Sequence, residues 1–264
     1  MIKIYASTDI GLVRKTNQDC YAHKVMGGLL GYAVLCDGMG GEGGHVASET
    51  AMRFADEVLA RDLKPGMSEI SLKNVMMSVA AGANALVFEA VQKDLELEGI
   101  GTTLIIAVVF GESVFVCSVG DSRAYHISGG KKQQLTKDHT IVQMLLDIGE
   151  ISPEEAQTHP KRHYITRAVG VAPGVDADFI EHPFAPGDML LLCSDGLYNF
   201  VGDENMTETV LGAHLQQSIQ SASVDNLIDL AKNVGGGGDN ITAILICRQA
   251  EKTEGGCENG AARG

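Results

Sequence analysis

Five aspartates in this 264-residue chain stand at the ends of apolar, strand-like runs, and four of them touch a glycine. Asp37 closes YAVLC and precedes Gly38. Asp195 closes LLLCS and precedes Gly196. Asp121 follows Gly120, Asp239 follows four glycines before ITAILIC, and Asp19 follows Asn17 and Gln18. Any one Asp-Gly pair is ordinary turn chemistry. Five acids beside buried strands can converge on one edge of a sheet core, where they repel and need protons or a cation. Oxygen donors without Cys or His suit hard ions such as Mg²⁺ or Mn²⁺. Glycine beside four of the acids lets backbone carbonyls approach as further ligands. Arg14, in VRKTNQD near Asp19, adds a guanidinium fork able to grip a phosphate.

A rival motif overlaps Asp37. Gly38-x-Gly40-x-x-Gly43 follows a strand and opens a helix, as a dinucleotide fingerprint does. Two features oppose it. Asp37 would point a negative charge at the pyrophosphate, and the helix leads into another helix instead of a second strand.

The elements that must position these residues follow from periodicity. Residues 2–8 and 31–36 read as strands, the second buried on both faces. A helix runs from His45 to about Asp62, until Pro65-Gly66 breaks it. Ser68 with Ser71 opens another, with Leu72, Val75, Met76, Val79, Leu86, Val87 and Val91 as its apolar stripe. The runs TTLIIAVVF, SVFVCSV and RAYHIS are strands; Gly111-Glu112 and Gly120-Asp121-Ser122 between them read as hairpin turns. Residues 140–167 form a polar loop-helix insertion. A buried strand at 189–194, helices near 203–212 and 224–233, and the strand ITAILIC complete the pattern. Antiparallel strands joined through consecutive helices make an α+β protein, not a doubly wound sheet.

Composition narrows the class. Formal charge of −14 disfavours nucleic acid and anionic membranes as partners. Of six cysteines, Cys36, Cys117, Cys193 and Cys247 lie in apolar runs as buried thiols, and no Cys-x-x-Cys occurs. With no signal-peptide core, a cytoplasmic location is expected.

The ordered motifs GLVRKTNQD, CDGMGGEGG, GTTL, VGDSRAY, LTKDHT, HPKRHYITRAVG, CSDGLYNFV and GGGGDNITAILI carry a resemblance that runs from Asp9 to about Cys247. In sequence and spacing the chain resembles the metal-dependent protein serine/threonine phosphatases of type 2C, in their bacterial form. The resemblance implies a four-layer α-β-β-α sandwich over residues 1–249, with 250–264 a disordered polar tail. It implies two Mn²⁺ or Mg²⁺ ions, with a weaker third site. Asp37 would bridge the pair and the Gly38 carbonyl would ligate one ion. Asp195 and Asp239 would hold the other, and Asp121, with Asp19 nearby, would serve the third. Arg14 would bind substrate phosphate, and residues 140–165 would form the flap. A metal-activated water would hydrolyse phosphoserine and phosphothreonine on proteins, without a phosphoenzyme. The substrates would be those of a serine/threonine kinase, and the enzyme a monomer without membrane insertion. A metal-binding regulator without turnover is the alternative.

Two positions depart from the family pattern. Met39 stands where many eukaryotic members place a histidine proton donor, and Gln18 replaces a glutamate. His45 reads as helix-start packing or solvated surface, and His139, His159 and His163 as surface or loop anchors.

Overall fold

The computed structural model describes residues 1–249 except 42, 95, 96, 98 and 216–219. The expected tail, 250–264, lies outside the described residues. The chain opens with β1 (Ile2–Asp9), β2 (Asp19–Gly27) and β3 (Leu30–Met39), then two long helices, α1 (Gly44–Asp62) and α2 (Glu69–Lys93). A short β4 (Gly101–Thr102) leads to β5 (Leu104–Phe110), β6 (Ser113–Val119), β7 (Arg123–Ser128) and β8 (Lys131–Gln134). The insertion carries α3 (Ile141–Asp147) and α4 (Pro153–Thr158). After it come β9 (Asp178–Pro183), β10 (Met189–Cys193), α5 (Asp195–Tyr198), α6 (Asp203–Leu215), α7 (Gln220–Asn233) and β11 (Ile241–Arg248).

Two antiparallel sheets result. One has the order β1-β11-β10-β7-β8, the other β2-β3-β5-β6-β9, with β4 beside β3. Period-two alternation divides each central strand between two cores. In β5, Ile105, Ala107 and Val109 face the other sheet, joined there by Leu35, Leu190 and Ile244. Leu104, Ile106 and Val108 face α1 and α2. The first sheet turns Leu191, Ala243 and Leu245 toward Leu197, Val210 and Leu227 of α5–α7. Three apolar cores therefore separate four layers, α-β-β-α. This double-sided burial makes the central strands near-continuous apolar runs.

Helix starts follow local chemistry. Ser68 Oγ accepts from the Ser71 N–H and caps α2. This helix is long and apolar enough by composition to cross a membrane, and it buries Leu72, Met76, Val79 and Val87 in the outer core. Leu86, expected in that stripe, is 41% exposed, and Ala83 takes the inward position. The α1 N-terminus is packed so tightly on β3 that a Cβ at Gly38 would strike the backbone oxygens of Gly44 and Gln18.

One expected turn is corrected. Gly120-Asp121-Ser122 does not close a hairpin: β6 pairs with β5 and β9, whereas β7 pairs with β10 and β8. The three residues cross from one sheet to the other. Asp121 therefore lies between the layers, 6% exposed, instead of on an edge turn.

Candidate active site and metal centre

All five aspartates gather at one end of the paired sheets. Asp37, near the end of β3, stands directly opposite Asp19 at the start of β2. Asp195 begins α5 just after β10, Asp239 precedes β11, and Asp121 sits in the sheet-to-sheet crossing.

Their electrostatics record the convergence. Burial pushes the Asp37 carboxyl well above the usual range, and Asp19, Asp195, Asp121 and Asp239 push it further. Asp195 is raised likewise by burial and then by Asp121, Asp239 and Asp19, against a lowering pull from Arg14. Asp19 rises to about 6, chiefly through burial, although hydroxyl donors oppose it. Asp121 also rises to about 6, through burial and Asp138. Such a cluster favours protons or an added cation over five free charges.

The donor set fits a hard divalent ion. Asp19 Oδ2 accepts from Thr242 Oγ1 at 2.6 Å and Ser194 Oγ at 2.8 Å, while its buried Oδ1 meets no hydroxyl or N–H donor among the described residues, leaving a protonated Asp37 carboxyl as the remaining donor to Asp19. One oxygen is thus fixed by hydroxyl donors and the other left for that proton or a ligand. Among the described residues no three His, Cys, Asp or Glu side chains form a closed cage for one ion. A hard cation of the Mg²⁺ type keeps several waters and takes only one or two carboxylates, so an open, all-oxygen arrangement suits it.

Polar residues without an assigned role in the sequence hold these acids. Asp37 N–H donates to Thr103 Oγ1 (2.9 Å), and Asp37 O accepts from Thr103 N–H and Thr102 Oγ1, both at 2.9 Å. Thr103 Oγ1 meets Ser122 Oγ at 2.8 Å, joining the Asp37 strand to the Asp121 crossing. Asn240 Oδ1 accepts from Gln18 N–H, and its Nδ2 donates to Ile10 O and Thr16 O, so one side chain shapes the loop bearing Arg14. The signal for these residues was present as the motifs GTTL, GDSR and GGDNIT; what each side chain bonds to was not.

Arg14 reaches the cluster. Its Nη2 pairs with Asp239 Oδ2 at 2.7 Å. Asp195 and Asp37 add weaker attraction, and half of the side chain stays exposed. The dinucleotide alternative fails in the structure. The helix after the glycines leads to α2, and Asp37 belongs to the acid cluster. His45 is exposed in the first turn of α1. His159 Nδ1 accepts from Lys161 N–H, an anchor within its loop, and His163 is exposed. His139 is 4% exposed, so its surface alternative falls and its anchoring role stands.

Fold and site together define an α-β-β-α sandwich with an acidic, all-oxygen cluster at one end of its sheets, whose donors suit a hard cation. The sequence profile of protein phosphatase 2C matches residues 13–230. A serine/threonine phosphatase stp of Listeria innocua is 34% identical over 91% of this chain and 94% of its own length. The solved serine/threonine phosphatase of S. agalactiae superposes with a TM-score of 0.84 at 31% identity, covering 94% of this chain and 100% of that one. A solved catalytic domain of serine/threonine protein phosphatase PstP, in complex with two manganese ions, gives 0.77 at 33% identity over 94% and 99%. The chain belongs to the protein phosphatase 2C family.

Proposed function

We propose that this chain hydrolyses phosphoserine and phosphothreonine on proteins with a cation-activated water and no covalent intermediate. Asp37, Asp195 and Asp239, with the Gly38 carbonyl, would hold two divalent ions, and Asp121 with Asp19 would serve a weaker third. When bound, Mn²⁺ or Mg²⁺ supplies Lewis acidity toward water and phosphoryl oxygen. Arg14 turns its fork from Asp239 to the phosphoryl oxygens and offsets their charge in the transition state. The observation that carries this reading is Asp37, raised by burial and by four other aspartates converging on it, near the half-exposed Arg14.

The absence of a phosphoenzyme is supported by Cys193. Its thiol is fully buried and pushed up to about 12 by burial, the reverse of an activated nucleophile. Met39 offers no proton, so leaving-group protonation falls to water. Cys36, Cys117 and Cys193 are buried without disulfide partners, which supports a reducing, cytoplasmic setting. Substrates would come from a serine/threonine kinase, and the enzyme would act as a monomer.

The test is phosphate release from a phosphothreonine peptide with Mn²⁺, with Mg²⁺ and with EDTA. Metal-dependent release abolished by EDTA is expected. Folded protein inactive with both metals would leave a phosphoprotein-binding module without turnover.

A further inference from the structure

We propose that Asp138 and His139 form a positioning bracket for Asp121 and tie it to the segment 140–165. The inference rests on the reading of Asp121 as a cation-holding acid. Both residues lie in the run LTKDHT, between β8 and α3, outside the five converging aspartates, although the Asp138 charge also acts on Asp121.

The bracket grips Asp121 from both sides in sequence. On one side, Asp138 accepts from Arg123 Nη2 at 2.7 Å and from Nε at 3.0 Å, a two-point ion pair. The Arg123 guanidinium lies 3.6 Å from the Tyr198 ring centroid, and Tyr198 Oη donates to Asp121 O at 3.1 Å. A fixed guanidinium thus fixes the ring that holds the Asp121 carbonyl. On the other side, His139 Nδ1 accepts from Gly120 N–H at 3.1 Å, and His139 N–H donates to Gly120 O at 3.0 Å. Both polar backbone groups of Gly120 are satisfied by one residue. Gly120 has φ +101° and Thr103 fills the place of a Cβ, so glycine is required and no side chain of its own anchors it.

The same histidine carries the insertion. His139 O accepts from Thr166 N–H at 2.7 Å, and Thr140 pairs with Ile165 across an isolated bridge. His139 Nε2 faces Asp178 Oδ2 at 3.2 Å, and the other Asp178 oxygen accepts from Arg167 Nη1 at 2.8 Å. Both ends of the segment therefore leave from the residue that clamps Gly120. Outer groups that orient metal-holding residues are worth 10–100-fold in metal affinity as a rule.

The experiment is Mn²⁺ titration calorimetry on the whole chain, with folding checked by circular dichroism. His139→Ala is expected to weaken the weakest resolved Mn²⁺ site about tenfold. His139→Asn, whose Oδ1 stands near the place of Nδ1, is expected to restore most of it. A folded His139→Ala with unchanged affinity overturns the bracket, and so does equal weakening in the Ala and Asn variants. If His139→Ala does not fold, Asp138→Asn decides: weakening supports the bracket and unchanged affinity overturns it. Asp121→Asn separates the two levels. No change there overturns the reading of Asp121 itself, whereas weakening there alone overturns only the bracket. A phosphopeptide KM raised severalfold in His139→Asn, with an aryl phosphate KM unchanged, supports the tie to the insertion, and equal KM values overturn it.

Discussion

Asp19 and Asp37 face each other as direct cross-strand partners of β2 and β3, two carboxyl groups where a sheet would ordinarily place complementary side chains. Like charges directly opposite destabilise a strand pair, and here Asp195, Asp121 and Asp239 add to the repulsion.

Stability of the metal-free protein should therefore fall as pH rises from about 4 to 7. Asp19 and Asp121 have folded-state values near 6, above the ordinary 3.8. An acid raised in the folded state binds its proton more tightly there. Its stabilising effect is complete below pH 4 and disappears as pH climbs through 6. Melting curves in EDTA should show a lower Tm at pH 7 than at pH 5, and Mn²⁺ should raise Tm most at pH 7. A metal-free Tm that rises over this interval contradicts the prediction.

Asp195→Asn should separate stability from turnover. Removing one raised charge relieves Asp37 and Asp121, so the metal-free variant should melt higher, by 2–4 °C for each kcal/mol of relieved repulsion at roughly this chain length. Phosphopeptide hydrolysis should fall by more than about 100-fold, since even outer-shell changes cost 10–100-fold. Retained hydrolysis would remove Asp195 from the centre.

Arg14→Ala should lower kcat/KM for a phosphopeptide by about 10–100-fold, matching 1.5–3 kcal/mol for a hydrogen bond to a charged group. Arg14→Lys should recover only part, because a point charge cannot reproduce a two-point fork. Equal activity of the Lys variant and wild type would show that charge alone suffices.

Thr103→Val keeps shape but removes a hydroxyl that accepts from Asp37 N–H and meets Ser122. Two buried groups then lose a partner, at a cost of about 1–3 kcal/mol. Urea denaturation measures it, and a change within 0.5 kcal/mol, the usual limit for surface substitutions, would mean water replaces the hydroxyl.

Cys193→Ala should retain turnover within about threefold while losing about 1 kcal/mol of stability, the typical effect of a core truncation this small. Loss of turnover from a well-folded variant would reopen covalent catalysis.

Asp37, Asp121, Asp195 and Asp239 were legible because each stands beside an apolar run, and apolar runs are the plainest signal in a chain whose central strands are buried on both faces; Asp19 opens the less buried β2 and was legible from its motif instead. The edge strands β8 and β9 carry no such signal. The four residues of β8, Lys131–Gln134, have no apolar side chain, and β9 alternates only weakly. The sheet to which β7 belongs was equally hidden: a three-residue link containing glycine reads as a hairpin whether the next strand pairs beside it or crosses to another layer. Arg14 was found by type and place, but its partner Asp239 lies 225 residues away, beyond any local pattern. The burial of His139 was hidden for the same reason, since its side chain meets Gly120 and Asp178 from other parts of the chain.

The bridge between Thr140 and Ile165 has an evolutionary consequence. A segment whose two ends already touch behaves as a cassette. Its interior can lengthen, shorten or be exchanged without moving the strands outside it, because doubling a closed loop costs only about 0.6 kcal/mol. Descendants of one scaffold can thus acquire different surfaces beside the acidic centre by swapping this cassette, while the chemistry beneath is inherited intact.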